Sequence, residues 1–194
     1  MTAASASLGR PAQDDTQLAW ELTNARAIEP NPPFATTRTQ TMFTIRPPAP
    51  GDRAAWQRLW DGYNAFYGRE GATALAPAVS GSTWARFFDP AEPVRALVAD
   101  SDGRLVGLAH YLFHRSTTSI AQSCYLQDLF TEPAARGQGI ARALIEAVYE
   151  RAREAGAARV YWQTHETNIV AQRLYDRVAE RSGFIVYRRL LEGK

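Results

Sequence analysis

A chain of 194 residues with 45% hydrophobic and 11% aromatic side chains is long enough to bury one sizeable core, and its formal net charge of +2 gives no ground for a dedicated nucleic-acid surface. The single cysteine, Cys124, excludes an internal disulfide framework and a cysteine-rich metal site, which points to a cytoplasmic protein. No apolar run approaches the roughly 20 residues of a membrane span, so neither membrane nor nucleic acid is expected as a partner.

Residues 1–41 are rich in Ala, Ser, Thr and Pro, with Pro-Asn-Pro-Pro at 30–33, and read as a disordered leader. A short helix over Thr16 to Ile28 is the one regular element they suggest, and Met42 is a candidate for the true start. Residues 42–194 are expected to form a single domain.

Met42 to Arg46 alternates and is stopped by Pro47 and Pro48, which predicts a first strand. After the turn Pro50-Gly51-Asp52, the residues Trp56, Leu59, Trp60, Tyr63 and Phe66 recur at spacings of three and four, marking one apolar helical face. Residues 68–82 read as a loop, followed by a second short helix from Ser82 to Phe88. Val94 to Ala99 and Leu105 to Phe113 are strand-like and are joined by a turn of hairpin length, Asp100 to Gly103. Ser123 to Thr131 is a fourth strand. Ile140, Leu144, Val148, Ala152 and Ala155 mark the buried face of a helix that stops at Gly156. Arg159 to Thr164 is then a strand, Asn168 to Glu180 a helix, and Phe184 to Leu190 a last strand, so the fold class is mixed α/β.

The stretch between the fourth strand and the long helix carries the chemistry. Arg136, Gly137, Gln138, Gly139, Ile140 and Ala141 read as R-x-x-G-x-A. Glycines there let the backbone approach a ligand, the helix start turns free N–H groups and the positive end of its dipole toward it, and Arg136 or Arg142 could pair with phosphate oxygens. Taken alone, the same pattern also serves as a ligand-free strand-to-helix turn. A dinucleotide fingerprint is disfavoured because Arg142 stands where its third glycine belongs, and a P-loop is excluded by the missing Gly-Lys-Ser/Thr.

That element order, with R-G-Q-G-I-A after the fourth strand and N-I-V-A-Q-R-L-Y over Asn168 to Tyr175, resembles the GNAT superfamily of acetyl-CoA-dependent N-acetyltransferases across about Met42 to Leu191. Tyr125 to Gly139, YLQDLFTEPAARGQG, looks most like its diamine and polyamine branch. The resemblance implies a mixed, mostly antiparallel sheet of six to seven strands, helices on both faces, and a splay between the fourth and fifth strands. It implies acetyl-CoA as co-substrate and no metal, with the pantetheine arm along the main chain of Leu129, Phe130 and Thr131 and the pyrophosphate on residues 136–142. Asn168 would bond the arm, and Ala171 would leave room for it. Relatives of this kind pair their C-terminal strands, so a homodimer exchanging Ile185 to Leu190 is expected.

Acetyl transfer to an amine needs a neutral nucleophile, a stabilised oxyanion and a proton for the leaving thiolate. Tyr175 matches the family tyrosine that protonates the sulfur, although Val170, Leu174 and Val178 share a spacing that would equally suit simple packing. The base is open between Asp128, Glu166 and a water chain ending on either carboxylate, because Gln127 occupies the position where the polyamine branch has a glutamate. Successive strand residues face opposite sides, so Gln127 and Asp128 share a pocket only across a bulge. Tyr63, Phe66 and Tyr67 offer aromatic surface to an ammonium, or else belong to the core. His110 and His114 share a strand face, and packing or substrate contact is the expected role of His110, since two histidines without a third ligand make no metal site. The expected function is acetylation of a small polyamine or lysine-like primary amine, with a peptide acetyltransferase or a non-catalytic acyl-CoA-binding module as alternatives.

Overall fold

A computed structural model describes residues 43–191. The expectations for residues 1–41, and for Met42 as a start, lie outside the described residues. The strands are β1 (Thr44–Arg46), β2 (Val94–Ser101), β3 (Arg104–His114), β4 (Ser123–Thr131) and β5 (Arg159–Tyr161), and the helices α1 (Arg53–Phe66), α2 (Pro77–Arg86), α3 (Ile140–Glu154) and α4 (Ile169–Tyr175).

The sheet runs β1-β2-β3-β4-β5, antiparallel except for the parallel β4–β5 pair. At the β2–β3 hairpin, Asp102 (φ 51°) and Gly103 (φ 83°) both take the left-handed conformation that suits the twist of the flanking strands. One face of the sheet packs against α1, where Trp56, Leu59 and Trp60 meet Val98, Leu105, Leu108 and Phe130. The opposite face packs against α3, where Ile140, Leu144, Ile145 and Val148 meet Leu97, Ala109, Cys124 and Leu126. The alternation of β2 serves both layers: Leu97 and Ala99 point to α3, Val98 to α1.

Arg46 ties the entrance of α1 to the sheet, bonding Asp52 at 2.6 Å and Asp100 at 2.7 Å. Close seating of α3 depends on Gly107. A Cβ at that position would lie 3.0 Å from Ile140 Cγ2 and 3.1 Å from the carbonyl oxygen of Phe130.

The β4–β5 pairing covers only Ser123–Tyr125 against Arg159–Tyr161. Beyond Tyr125, β4 has no partner on that side among the described residues, so the strands part where the splay was expected. The strand count is a correction: five strands are present among the described residues, in place of six to seven. Phe184 to Leu190 forms no strand, and Phe184 and Tyr187 are each 90% exposed. An alternating run becomes a strand only when a neighbouring edge supplies its hydrogen bonds, and among the described residues none does. β5 and α4 are also shorter than expected. The second helix starts at Pro77, earlier than Ser82, because a proline at the first helical position is pre-set for helix while Gly81 and two serines hide the periodicity.

Gly107→Val should therefore lower stability by about 1–3 kcal/mol through overpacking at the β3–α3 contact. Urea unfolding checks this, and an unchanged midpoint would mean that α3 can move away freely.

Candidate active site

The loop after β4 is built for close approach. Gly137 (φ 79°) and Gly139 (φ 82°) lie in the left-handed region, and a Cβ placed on either would meet nothing within 4 Å. Their need for glycine is thus conformational, and the space in front of them is open. Gly139 is the N-cap of α3 and offers no side chain, so the first N–H groups of a 15-residue helix remain available to an outside acceptor. Ile140 anchors that helix end at 2% exposure. Gln138 and Ala141 lie beside these glycines on the loop and the first turn. Arg136 and Arg142 are exposed at the same end, Arg136 donating Nε–H to the Thr131 carbonyl and Arg142 paired with Glu146 at 2.7 Å. Thr131 Oγ1 is buried with no hydrogen-bond partner among the described residues, at the end of the strand edge that β5 leaves open. Open helix donors, a free strand edge and an unsatisfied hydroxyl together fit a long polar ligand that carries phosphates at one end.

The second half of the site arises from a one-residue irregularity in β4. His110 pairs with Asp128 and Tyr111 with Leu126, so Gln127 is an extra residue, a β-bulge. Before the bulge, Cys124 and Leu126 face α3; after it, Leu129 packs on that side while Phe130 joins the α1 layer. Asp128 is turned with Phe130 toward α1. Gln127 is left exposed.

Asp128 is 9% exposed and accepts a hydrogen bond from His110 Nδ1 at 3.0 Å. The indole Nε1–H of Trp56, which can only donate, bonds His110 Nε2 at 2.9 Å. That donation occupies the lone pair on Nε2 and fixes the neutral imidazole with its proton on Nδ1, aimed at Asp128. His110 is itself 2% exposed with both nitrogens engaged, so it meets a substrate only through Asp128. His114 forms a separate pair with the Tyr161 hydroxyl at 3.0 Å. Among the described residues no three metal-ligating side chains come together.

A ladder of rings borders the carboxylate. Trp56 stacks on Trp60 (5.9 Å), Trp60 on Tyr63 (5.3 Å), and Tyr63 meets Tyr67 edge-on at 5.1 Å, with Phe66 beside it. Burial, then the Asp128 carboxylate, hold the hydroxyls of Tyr63 and Tyr67 above the ordinary phenol range. Tyr175 on α4 packs against Trp162, and its phenol is pushed up to about 12 by burial and then by Tyr67. Tyr67 thus neighbours both Asp128 on β4 and Tyr175 on α4. Tyr125 belongs to the same cluster, raised by burial, by Tyr161 and by Asp128.

Asn168 caps α4, its Oδ1 accepting from the Ala171 N–H at 3.4 Å. Glu166 is apart from the cluster: it is exposed on the loop before α4, its backbone carbonyl accepts from Gln172, and no hydrogen bond or ion pair joins its side chain to Asp128 or Tyr175. Cys124 is fully buried and its thiol is pushed up to about 12, which makes it a poor nucleophile. Sequence reasoning missed Trp56 as a functional side chain, although a buried indole always asks for an acceptor. It also missed Arg69, whose Nε donates to Asn64 Oδ1 at 2.6 Å and whose guanidinium lies 5.3 Å from the Tyr67 ring centre.

Residues 54–179 match the acetyltransferase (GNAT) family model. The chain is 39% identical over 142 residues to the D-amino-acid N-acetyltransferase HPA3 of Saccharomyces cerevisiae, covering 72% of this chain and 86% of that protein. It is 30% identical over 151 residues to the uncharacterized N-acetyltransferase YhfO of Bacillus subtilis, covering 75% and 95%. A transcriptional regulator from Bacillus halodurans C-125 shares the fold at a TM-score of 0.67 and 22% identity, over 77% of this chain and 99% of that one. With the glycine loop, the open strand edge and these relatives in agreement, the chain belongs to the GNAT acetyltransferase family and is an acetyl-CoA-dependent N-acetyltransferase.

Proposed function

We propose that the protein acetylates the primary amine of a small molecule, an amino acid in preference to a polyamine, by direct attack of the amine on the thioester. The observation that carries this reading is Asp128, a carboxylate turned by the Gln127 bulge into an aromatic enclosure that also borders Tyr175. The activity of the yeast relative on D-amino acids supports the acceptor class.

In this scheme the co-substrate's phosphates lie on the N–H groups at Gly137–Arg142, and its pantetheine arm runs along the open edge of Leu129 to Thr131. Asn168 and Ala171 stand beside the arm. An alkylammonium, with a pKa near 10 like that of lysine, enters between Asp128 and the rings of Tyr63 and Tyr67. Asp128 accepts its proton, directly or through a water, and Gln127 and Phe66 flank the entrance. The freed nitrogen lone pair forms the C–N bond, the carbonyl electrons move to oxygen, and collapse of that oxyanion breaks the C–S bond. Tyr175, protonated throughout the neutral range, supplies the proton that the thiolate takes up, and the second proton released by the nitrogen as it becomes an amide returns to the Tyr175 oxygen. The buried, neutral Cys124 supports direct attack, because an acyl-enzyme route would need a reactive thiolate.

Three measurements test the scheme. Asp128→Asn keeps the shape and can still accept from His110, so a folded variant whose kcat/KM for the amine is undiminished would remove Asp128 from the mechanism. Tyr175→Phe should reduce kcat on the order of 10²-fold or more, as expected for loss of a general acid, with acetyl-CoA affinity nearly retained. An equal loss of affinity would assign Tyr175 to packing instead. Gly139→Val forces a β-branched residue into the left-handed region and should abolish acetyl-CoA binding in calorimetry; retained binding would refute the phosphate loop.

A further inference from the structure

Asp128 offers a place for an amine, but an amino acid also carries a carboxylate, and the wall that borders Asp128 holds a cation. Arg69 follows α1 by three residues. Its backbone N–H donates to the Asn64 carbonyl at 2.9 Å and its Nε–H to Asn64 Oδ1 at 2.6 Å. Asn64 is itself 4% exposed and donates Nδ2–H to the Trp60 carbonyl at 2.8 Å, so the arginine is braced from within the helix. The bracing uses Nε alone. The guanidinium lies 5.6 Å from the Tyr63 ring centre and 5.3 Å from that of Tyr67, and its two terminal nitrogens meet no carboxylate among the described residues. Arg46 has two, and Arg58, Arg104 and Arg142 each have one.

The same two tyrosines sense both charges. Asp128 raises the hydroxyls of Tyr63 and Tyr67, and Arg69 opposes it at each. A fixed guanidinium with its fork of donors free is shaped for a carboxylate, and it repels a second ammonium.

We propose that Arg69 is a specificity-determining residue that receives the carboxylate of an α-amino acid while Asp128 takes its amine. This assignment rests on the acceptor reading given above. It also makes a diamine the poorer acceptor, since its distal ammonium would meet Arg69 as a like charge.

The test uses the full chain and release of free CoA, with D-leucine, isopentylamine (the same skeleton without the carboxylate), putrescine and a short peptide as acceptors. Wild type should favour D-leucine over isopentylamine. Arg69→Gln should raise KM for D-leucine about 10- to 100-fold more than KM for isopentylamine, the range expected when hydrogen bonds to a charged group are lost. Arg69→Glu should turn over putrescine faster than wild type does, a gain that an unfolded variant cannot produce. Equal kcat/KM for D-leucine and isopentylamine in wild type, or equal losses for both in Arg69→Gln, would reduce Arg69 to a brace of the turn and leave the small-amine reading standing. Acetylation of the peptide alone would overturn both.

Discussion

The structure depends on satisfying one carboxylate placed between two layers. An anion at 9% exposure is costly unless donors meet it, and the helix that covers Asp128 is mostly apolar on that side. The solution is a chain of single-purpose bonds. Trp56, which can only donate, occupies one nitrogen of His110, and the other must then present its proton to Asp128. The chain leaves one face of the carboxylate to the tyrosines and to whatever enters beside them. α1 is therefore both the lid of a hydrophobic layer and the support of a polar centre, and its indoles, spaced four residues apart, serve core and site together.

The two halves of the site follow different physics. At the loop after β4, what is offered is backbone: left-handed glycines, open N–H groups and a free strand edge, all of which tolerate change in exposed side chains such as Gln138. At Asp128, what is offered is side chains locked through buried partners, where each substitution is felt by the next residue. Under the proposed scheme, acetyl-CoA binding and acceptor choice are in this way separable, which suits a fold that hosts varied functions.

Much of this was legible in the sequence. The bounds of β4, the glycine loop and the face of α3 as far as Ala152 could be read because each is set by local rules, alternation, left-handed turns and helical spacing, whereas Ala155 is exposed just past the helix end. Features set by a partner strand were not legible. Leu126 to Phe130 alternates in type without disclosing which residue is extra, since register is decided by what lies opposite, here His110 and Tyr111. The strand-like pattern of Phe184 to Leu190 likewise says nothing about whether an edge is there to receive it. His110 read as a packed or substrate-contacting residue because its role depends on Trp56, 54 positions earlier. Arg69 lay just beyond the aromatic stripe, where spacing arguments stop.

The bulge at Gln127 works like an insertion in a reading frame. Upstream, the pleat of β4 is in phase with α3; downstream, it is in phase with α1. Drawing Gln127 into the pairing, so that the strand alternated without interruption, would keep every side chain yet turn Asp128 into the α3 layer and Leu129 toward His110, whereas deleting Gln127 would leave Leu126 and Asp128 on the faces they hold now. Substitutions at Gln127 are cheap by comparison, because its side chain is exposed and it stands outside the pairing with β3. The face that Asp128 takes is thus decided by which residue β4 leaves out of its pairing, and a reading that counts Gln127 into the ladder would put Asp128 on the wrong side of the sheet.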